Sequence, residues 1–241
     1  MTQTTSLIKN SFQEIAANHP LWNHDFLHRC RTGDLLLPDI QILAVQMYKF
    51  SKEFNRILAG ILSCCPDETT QLVILENLFD EMGQGNIHQS HPELFRRFTR
   101  ALGIDDDTLA ALPTAPETLA LIETYLKIPR QYGYIPALAA VCYASEGIVS
   151  SLYTQLYQGI VDAAPLPKES LIFFELHIDV DDSHAAKLAA VIEPRINLID
   201  EFEQIQLAIT EAMDARTEFF NGIQRQIFHY GFSQDSWLLF K

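Results

Sequence analysis

Glycine is scarce in this chain, with 10 among 241 residues, and few runs of Val, Ile and Thr alternate with polar residues. Both shortages exclude a β-rich fold, which needs period-two strands and frequent glycine-marked turns. Positive charge is also in short supply. The 17 Lys and Arg stand against 31 Asp and Glu, for a net charge of −14. The cations are scattered, which excludes nucleic acid as a partner, because phosphates demand clustered Lys and Arg. No uninterrupted apolar run approaches about 18 residues, and Met1 to Asn10 lacks an apolar targeting core. Neither secretion nor a membrane partner is expected, and a cytoplasmic location is. The cysteines are Cys30, Cys64, Cys65 and Cys142, with no CxxC pair. Three of them fall in apolar helical segments, where a thiol behaves as a small hydrophobe, so reduced cysteines are expected.

What is present is helix after helix. Period-3.6 patterning predicts helices over about 5–17, 21–32, 38–64, 67–82, 90–102, 116–130, 134–158, 167–190 and 195–230. Gly33 follows the second, Pro38 opens the third, Pro66-Asp67 starts the fourth, and Gly83 and Gly85 end it. Breaks are short, no repeat is visible, and no linker divides the chain. The expectation is one all-α domain over 1–241, a bundle of antiparallel neighbours.

Polar groups sit where that bundle should be apolar. Between Leu171 and Leu188 an apolar stripe runs through Leu171, Phe174, Ile178, Ala185 and Leu188. At about 100° per residue, His177, Asp181 and His184 fall within about 60° of one another, with Asp181 in line with the stripe. A carboxylate there is costly unless it is paired or bound to a cation. Glu146 interrupts the stripe of Ile135, Leu138, Ala139, Cys142, Val149 and Leu152 in the same way, and Glu81 follows Ile74 and Leu78. His88 comes seven residues after Glu81, beyond the glycines. Three carboxylates and three imidazoles on core-facing segments suit a two-metal site, with iron or manganese favoured and zinc compatible. His19, His24, His28, His91 and His229 are read as ordinary histidines with satisfied partners. Asp80, Asp179 and Asp182 are read as solvated or capping charges.

The same residues carry a resemblance. Asn77-Leu-Phe-Asp-Glu81 with His88, Tyr143-Ala-Ser-Glu146, and Glu175-Leu-His177-Ile-Asp-Val-Asp-Asp-Ser-His184 resemble motifs of the heme-oxygenase-like di-iron oxidases and oxygenases. These are relatives of the TenA and PqqC proteins, and the chain looks closest to the branch of the chlamydial protein associating with death domains. The resemblance runs from about Leu21 to the C-terminal helix. It implies a bundle of seven or more helices around a central cavity. It also implies two iron ions held by Glu81, His88, Glu146, His177, Asp181 and His184, with O₂ as co-substrate in oxidation of a small molecule. Manganese or a mixed-metal centre is compatible with the ligands, and an external electron donor with the chemistry.

Departures bear on the substrate. The chlamydial branch makes a para-aminobenzoate precursor of folate, with tyrosines and a lysine near the metals. The aligned positions here hold Leu27, Ser145, Phe173 and Leu156. Nor does Glu81 to His88 match the E-x2-H spacing of the fatty-acid-decarboxylating branch. Tyr48, Lys52, Tyr132 and Tyr143 are the residues expected nearest a substrate cavity. Two other functions stand beside the oxidase: a metal-free enzyme of TenA or PqqC type using the carboxylates as acid and base, and a partner-binding module. A homodimer through the long helices is expected.

Overall fold

The computed structural model describes residues 4–179, 182–195 and 199–231, and every regular element among them is helical. α1 (Thr4–Ala17) and a 3₁₀ turn lead into α2 (Asp25–Thr32), α3 (Leu37–Ser51), α4 (Phe54–Cys64) and α5 (Glu68–Glu81). Two further 3₁₀ turns precede α6 (His91–Ala101), followed by α7 (Asp106–Ala111), α8 (Pro116–Gln131) and α9 (Tyr134–Val141). A π-helical turn (Cys142–Glu146) joins α9 to α10 (Gly147–Ala163). α11 (Ile172–Asp179), α12 (Asp182–Ile192) and the long α13 (Ile199–Gly231) complete the chain.

Local chemistry explains several starts. Pro38 lies in the first turn of α3 and Pro116 in that of α8, where a missing amide proton is harmless. Asp67 caps α5 by accepting from the Thr70 amide at 3.0 Å. Two expectations need correction. The single helix over 38–64 is two, parted after Ser51, although neither proline nor glycine marks the break. The helix over 167–190 is a 3₁₀ turn (Lys168–Ser170) followed by α11 and α12, with residues 180 and 181 outside the described set.

The spine of the molecule is the continuous helix from α9 through α10. Every residue from Ile135 to Glu146 is buried, as befits a helix surrounded by others. By length and apolarity Tyr134–Ala163 would suit a membrane span, but 83% of its most apolar stretch is buried inside the molecule. Core packing accounts for that apolarity. α13 lies along α8 and α9, and α10 packs on α2 and α11. Ser150 Oγ, on α10, donates to the Ile178 carbonyl at 3.1 Å and ties the spine to α11.

The π turn decides what the spine presents. The Gly147 amide donates to the carbonyl of Cys142, five residues back. One extra residue per turn shifts the helical register, and the consecutive Ser145 and Glu146 are both buried. A Cβ at position 147 would lie 2.7 Å from the Cys142 oxygen. Gly to Ala inside a helix ordinarily stabilises by up to about 1 kcal/mol. Here Gly147→Ala is expected to reverse that sign and destabilise by ~1–3 kcal/mol. Urea unfolding checks it, and an unchanged or higher midpoint would show that the π turn does not need this glycine.

Candidate metal centre

Glu81 closes α5, His91 opens α6, and His177 lies on α11. One ligand atom from each of the three lies within 4.8 Å of the others. His91 Nδ1 stands 2.8 Å from Glu81 Oε2, and the rings of His91 and His177 are 4.6 Å apart. Glu146 completes the buried acidic group from the π turn. It accepts from Asn77 Nδ2 at 3.4 Å, and Asn77 precedes Glu81 by one helical turn of α5. The Asn77 Oδ1 atom is buried without a partner among the described residues.

His91 stands beside Glu81, and His88, the residue expected there from sequence, does not. His88 lies in a 3₁₀ turn (Ile87–Gln89), with its side chain exposed. The reason is the connection between α5 and α6. Gly83, Gln84 and Gly85 take φ of 67°, 53° and 87°, three left-handed residues in succession. The chain thereby folds back on itself, and a Cβ on Gly83 would lie 2.6 Å from the Gln89 carbonyl carbon and the Ser90 nitrogen. That close approach brings the start of α6 beside the end of α5. Pro92 in the first turn of α6 is the available signal, because a helix starting there fixes the direction of His91.

His184 and Asp80 pair with each other, Nε2 to Oδ2 at 3.0 Å. Asp80 is thus a partner of a candidate ligand rather than a purely solvated charge. His184 shares the wall of an open cleft of about 560 Å³ with His91, His177 and Asp80. Asp181 lies outside the described residues.

Glu81, Ser145, Glu146 and His177 also face a small cavity of about 30 Å³, walled by Phe50, Phe54, Val149, Tyr153 and Phe173. None of the four residues expected there lines it. Tyr48 accepts from Arg96 Nη1 at 3.1 Å, Lys52 pairs with Glu53 at 3.3 Å, and Tyr132 donates to Glu211 at 2.5 Å. Tyr143 lines a different cleft, with Trp22, Cys142 and Ala185. Long side chains on mixed helix faces find nearer partners than the cavity.

The electrostatics are those of a cation site. His177 Nδ1–H donates to the Phe173 carbonyl at 2.6 Å, which leaves Nε2 as the acceptor. Burial, with the neighbouring His91, pulls the His177 pKa down to about 4, so the ring is neutral at neutral pH as a metal ligand must be. Burial would raise the Glu81 carboxyl, but the charge and hydrogen bond of His91, with His177 and His184, bring it below its ordinary value. Burial and the charge of Glu81 push Glu146 up to about 7. Two buried carboxylates, a neutral imidazole and an orphaned amide oxygen fit a metal ion, which would relieve the repulsion that a proton on Glu146 otherwise relieves.

Between its ordinary value of 4.5 and its folded value of about 7, Glu146 takes up a proton on folding, so its contribution to stability falls as pH rises. His177 opposes it, with stability rising from about pH 4 to its ordinary 6.5. Glu146→Gln removes only the first contribution. With chelator present, the stability of wild type relative to Glu146→Gln should therefore decline by on the order of 2 kcal/mol from pH 4.5 to 7. Urea titrations across that range would show a flat difference if Glu146 were ordinary. Gly83→Ala is expected to lower metal affinity about tenfold or more by driving α6 away from α5; equal affinity would show that the turn can yield.

A family model described as "Iron-containing redox enzyme" matches residues 41–217. The 4-aminobenzoate synthase of Chlamydia muridarum is 26% identical over 180 residues, covering 74% of this chain and 75% of that protein. The 4-chloro-allylglycine synthase of Streptantibioticus cattleyicolor is 23% identical over 211 residues, covering 88% and 80%. The solved structure of a CADD-like protein of unknown function from Nostoc punctiforme superposes with a TM-score of 0.74 at 17% identity, covering 93% and 96%. It shares the fold. With a buried carboxylate and imidazole cluster inside that fold, the chain belongs to the iron-containing redox enzyme family, heme-oxygenase-like in architecture.

Proposed function

We propose that the protein is a non-heme di-iron oxidase or oxygenase that uses O₂ to oxidise a small molecule. The observation that carries this reading is the buried convergence of Glu81, His91 and His177, with Glu146 beside them. Those four residues would hold iron, with His184 and Asp181 as candidates for the rest of the ligand set. Bound iron would supply the electrons that O₂ chemistry needs. The protein's own part is to exclude water, fix tautomers and manage protons. Phe50, Phe54, Tyr153 and Phe173 keep bulk water from the carboxylates. The Phe173 carbonyl orients His177. Glu146 holds a proton near neutral pH and must give it up when a cation binds, so metal affinity should rise with pH.

The two related synthases are named for 4-aminobenzoate and 4-chloro-allylglycine, products that both carry a carboxylate. Formation of para-aminobenzoate itself is the less favoured reading for this chain. Ser145 and Phe173, which replace residues of that branch, stand on the cavity wall, and Leu27 and Leu156 are fully buried. A second reading, metal-free acid–base catalysis by Glu146, draws on its raised pKa. Chelation separates the two, since only the metal-free enzyme would survive it.

Anaerobic reconstitution with Fe(II), followed by stopped-flow absorbance on mixing with O₂, is the direct test. Wild type is expected to bind about two irons per chain and to give a transient visible band. His91→Ala should lose both, whereas His88→Ala should keep both. The reverse pattern would return the ligand role to His88. No iron uptake by wild type would sink the oxidase.

A further inference from the structure

Arg216 lies on α13 and is 4% exposed, yet its guanidinium has no carboxylate partner among the described residues. Nη2 donates to two neutral hydroxyls, Tyr125 Oη and Ser145 Oγ, both at the long distance of 3.4 Å. Nε is buried with no hydrogen-bond partner among the described residues. The remaining contact is with a ring, Cζ lying 5.1 Å from the centre of Phe50. Arginine is almost never this buried unless paired, because its charge is expensive to take out of water. Its five donors form a fork suited to two oxygens of one anion.

Location supplies the second half of the argument. Phe50 and Ser145, the residues against which the guanidinium rests, both line the cavity shared by Glu81, Glu146 and His177. Ser145 and Glu146 are consecutive in the π turn, so the hydroxyl that Arg216 bonds is the chain neighbour of a carboxylate in the cluster. A purely structural brace for that turn is already present. Tyr125 donates to the Ala144 carbonyl at 3.0 Å, a shorter bond than either made by Arg216.

We propose that Arg216 is the anion-binding residue of this site, and that the molecule oxidised there carries a carboxylate which seats on its guanidinium. The proposal rests on the oxidase reading for the word oxidised, but the anion site itself does not depend on iron. Ser145 Oγ is placed to donate to the same anion. The cavity of about 30 Å³ holds little more than a water, so the Phe50 ring turns aside to uncover the guanidinium as the anion enters. Substrate entry then exchanges a ring contact for a charge-assisted pair, a trade that a neutral molecule cannot offer.

The test uses full-length, metal-free protein, so that coordination to iron cannot create the preference. The probes are acetate, hexanoate and 4-aminobenzoate, each against its amide, with binding followed by ligand-observed NMR. At least one carboxylate is expected to bind about tenfold or more tightly than its amide, the discrimination a charged hydrogen bond provides. Arg216→Gln should abolish that preference, and Arg216→Lys, which keeps the charge without the fork, should retain part of it. A wild type with no preference in any pair overturns the proposal, as does a folded Arg216→Gln protein that keeps it. The wild-type comparison decides even if both variants fold poorly. Iron content is measured separately: preference without iron uptake defeats the oxidase and leaves the anion site, while iron uptake without preference does the reverse.

Discussion

Two carboxylates, Glu81 and Glu146, are both 5% exposed in a helical core, and each raises the cost of ionising the other. In an apolar interior that repulsion is far stronger than in water. It has to be answered by a proton or a cation. The structure answers it locally with His91 beside Glu81 and with a Glu146 carboxyl pushed up to about 7, and the surrounding architecture keeps those groups together.

Each group reaches the centre through a different backbone device. The π turn brings Glu146 and Ser145 into the core from the spine. A run of left-handed residues returns the chain after α5 and sets His91 against Glu81. α11 delivers His177, whose ring is pinned by the Phe173 carbonyl and whose helix is tied to the spine through Ser150. Aromatic rings fill the remaining space: Phe173 lies 4.3 Å from His177, and Phe95 4.7 Å from Phe173. These contacts pack the site closely on one side. On the other, the cleft lined by His91, His177, His184 and Asp80 opens to solvent. That open, polar cleft is distinct from the small cavity walled by Phe50, Phe54 and Ser145.

Much of this centre is legible in the amino-acid sequence. Glu146 stands out because it interrupts an apolar stripe of period 3.6, Glu81 because it continues one, and His177 because it lies within about 60° of Asp181, which is in line with one. The same logic locates the long core helix and most element boundaries. It fails at His91, whose neighbours form no stripe that precedes it, and at His88, which only its separation along the chain recommends. Tyr48, Lys52 and Tyr132, expected near a substrate cavity, do not line the one beside Glu81 and Glu146. An amphipathic pattern states which face of a helix is inward but not which neighbour lies there, and each of the three finds Arg96, Glu53 or Glu211 instead.

Periodicity and the cost of burying charge are enough to specify the helical fold, its spine, and carboxylates and an imidazole set on its inward faces. Both are local properties of a helix face, so they can be read one segment at a time. Long-range packing settles the rest: His91 rather than His88 meets Glu81, Asp80 takes His184, and Arg216 comes to rest behind Ser145 with no counter-charge among the described residues. These outcomes depend on where a turn of three left-handed residues sends the chain, and on contacts between residues about 70 to 100 positions apart in sequence. No pattern within a single helix carries that information.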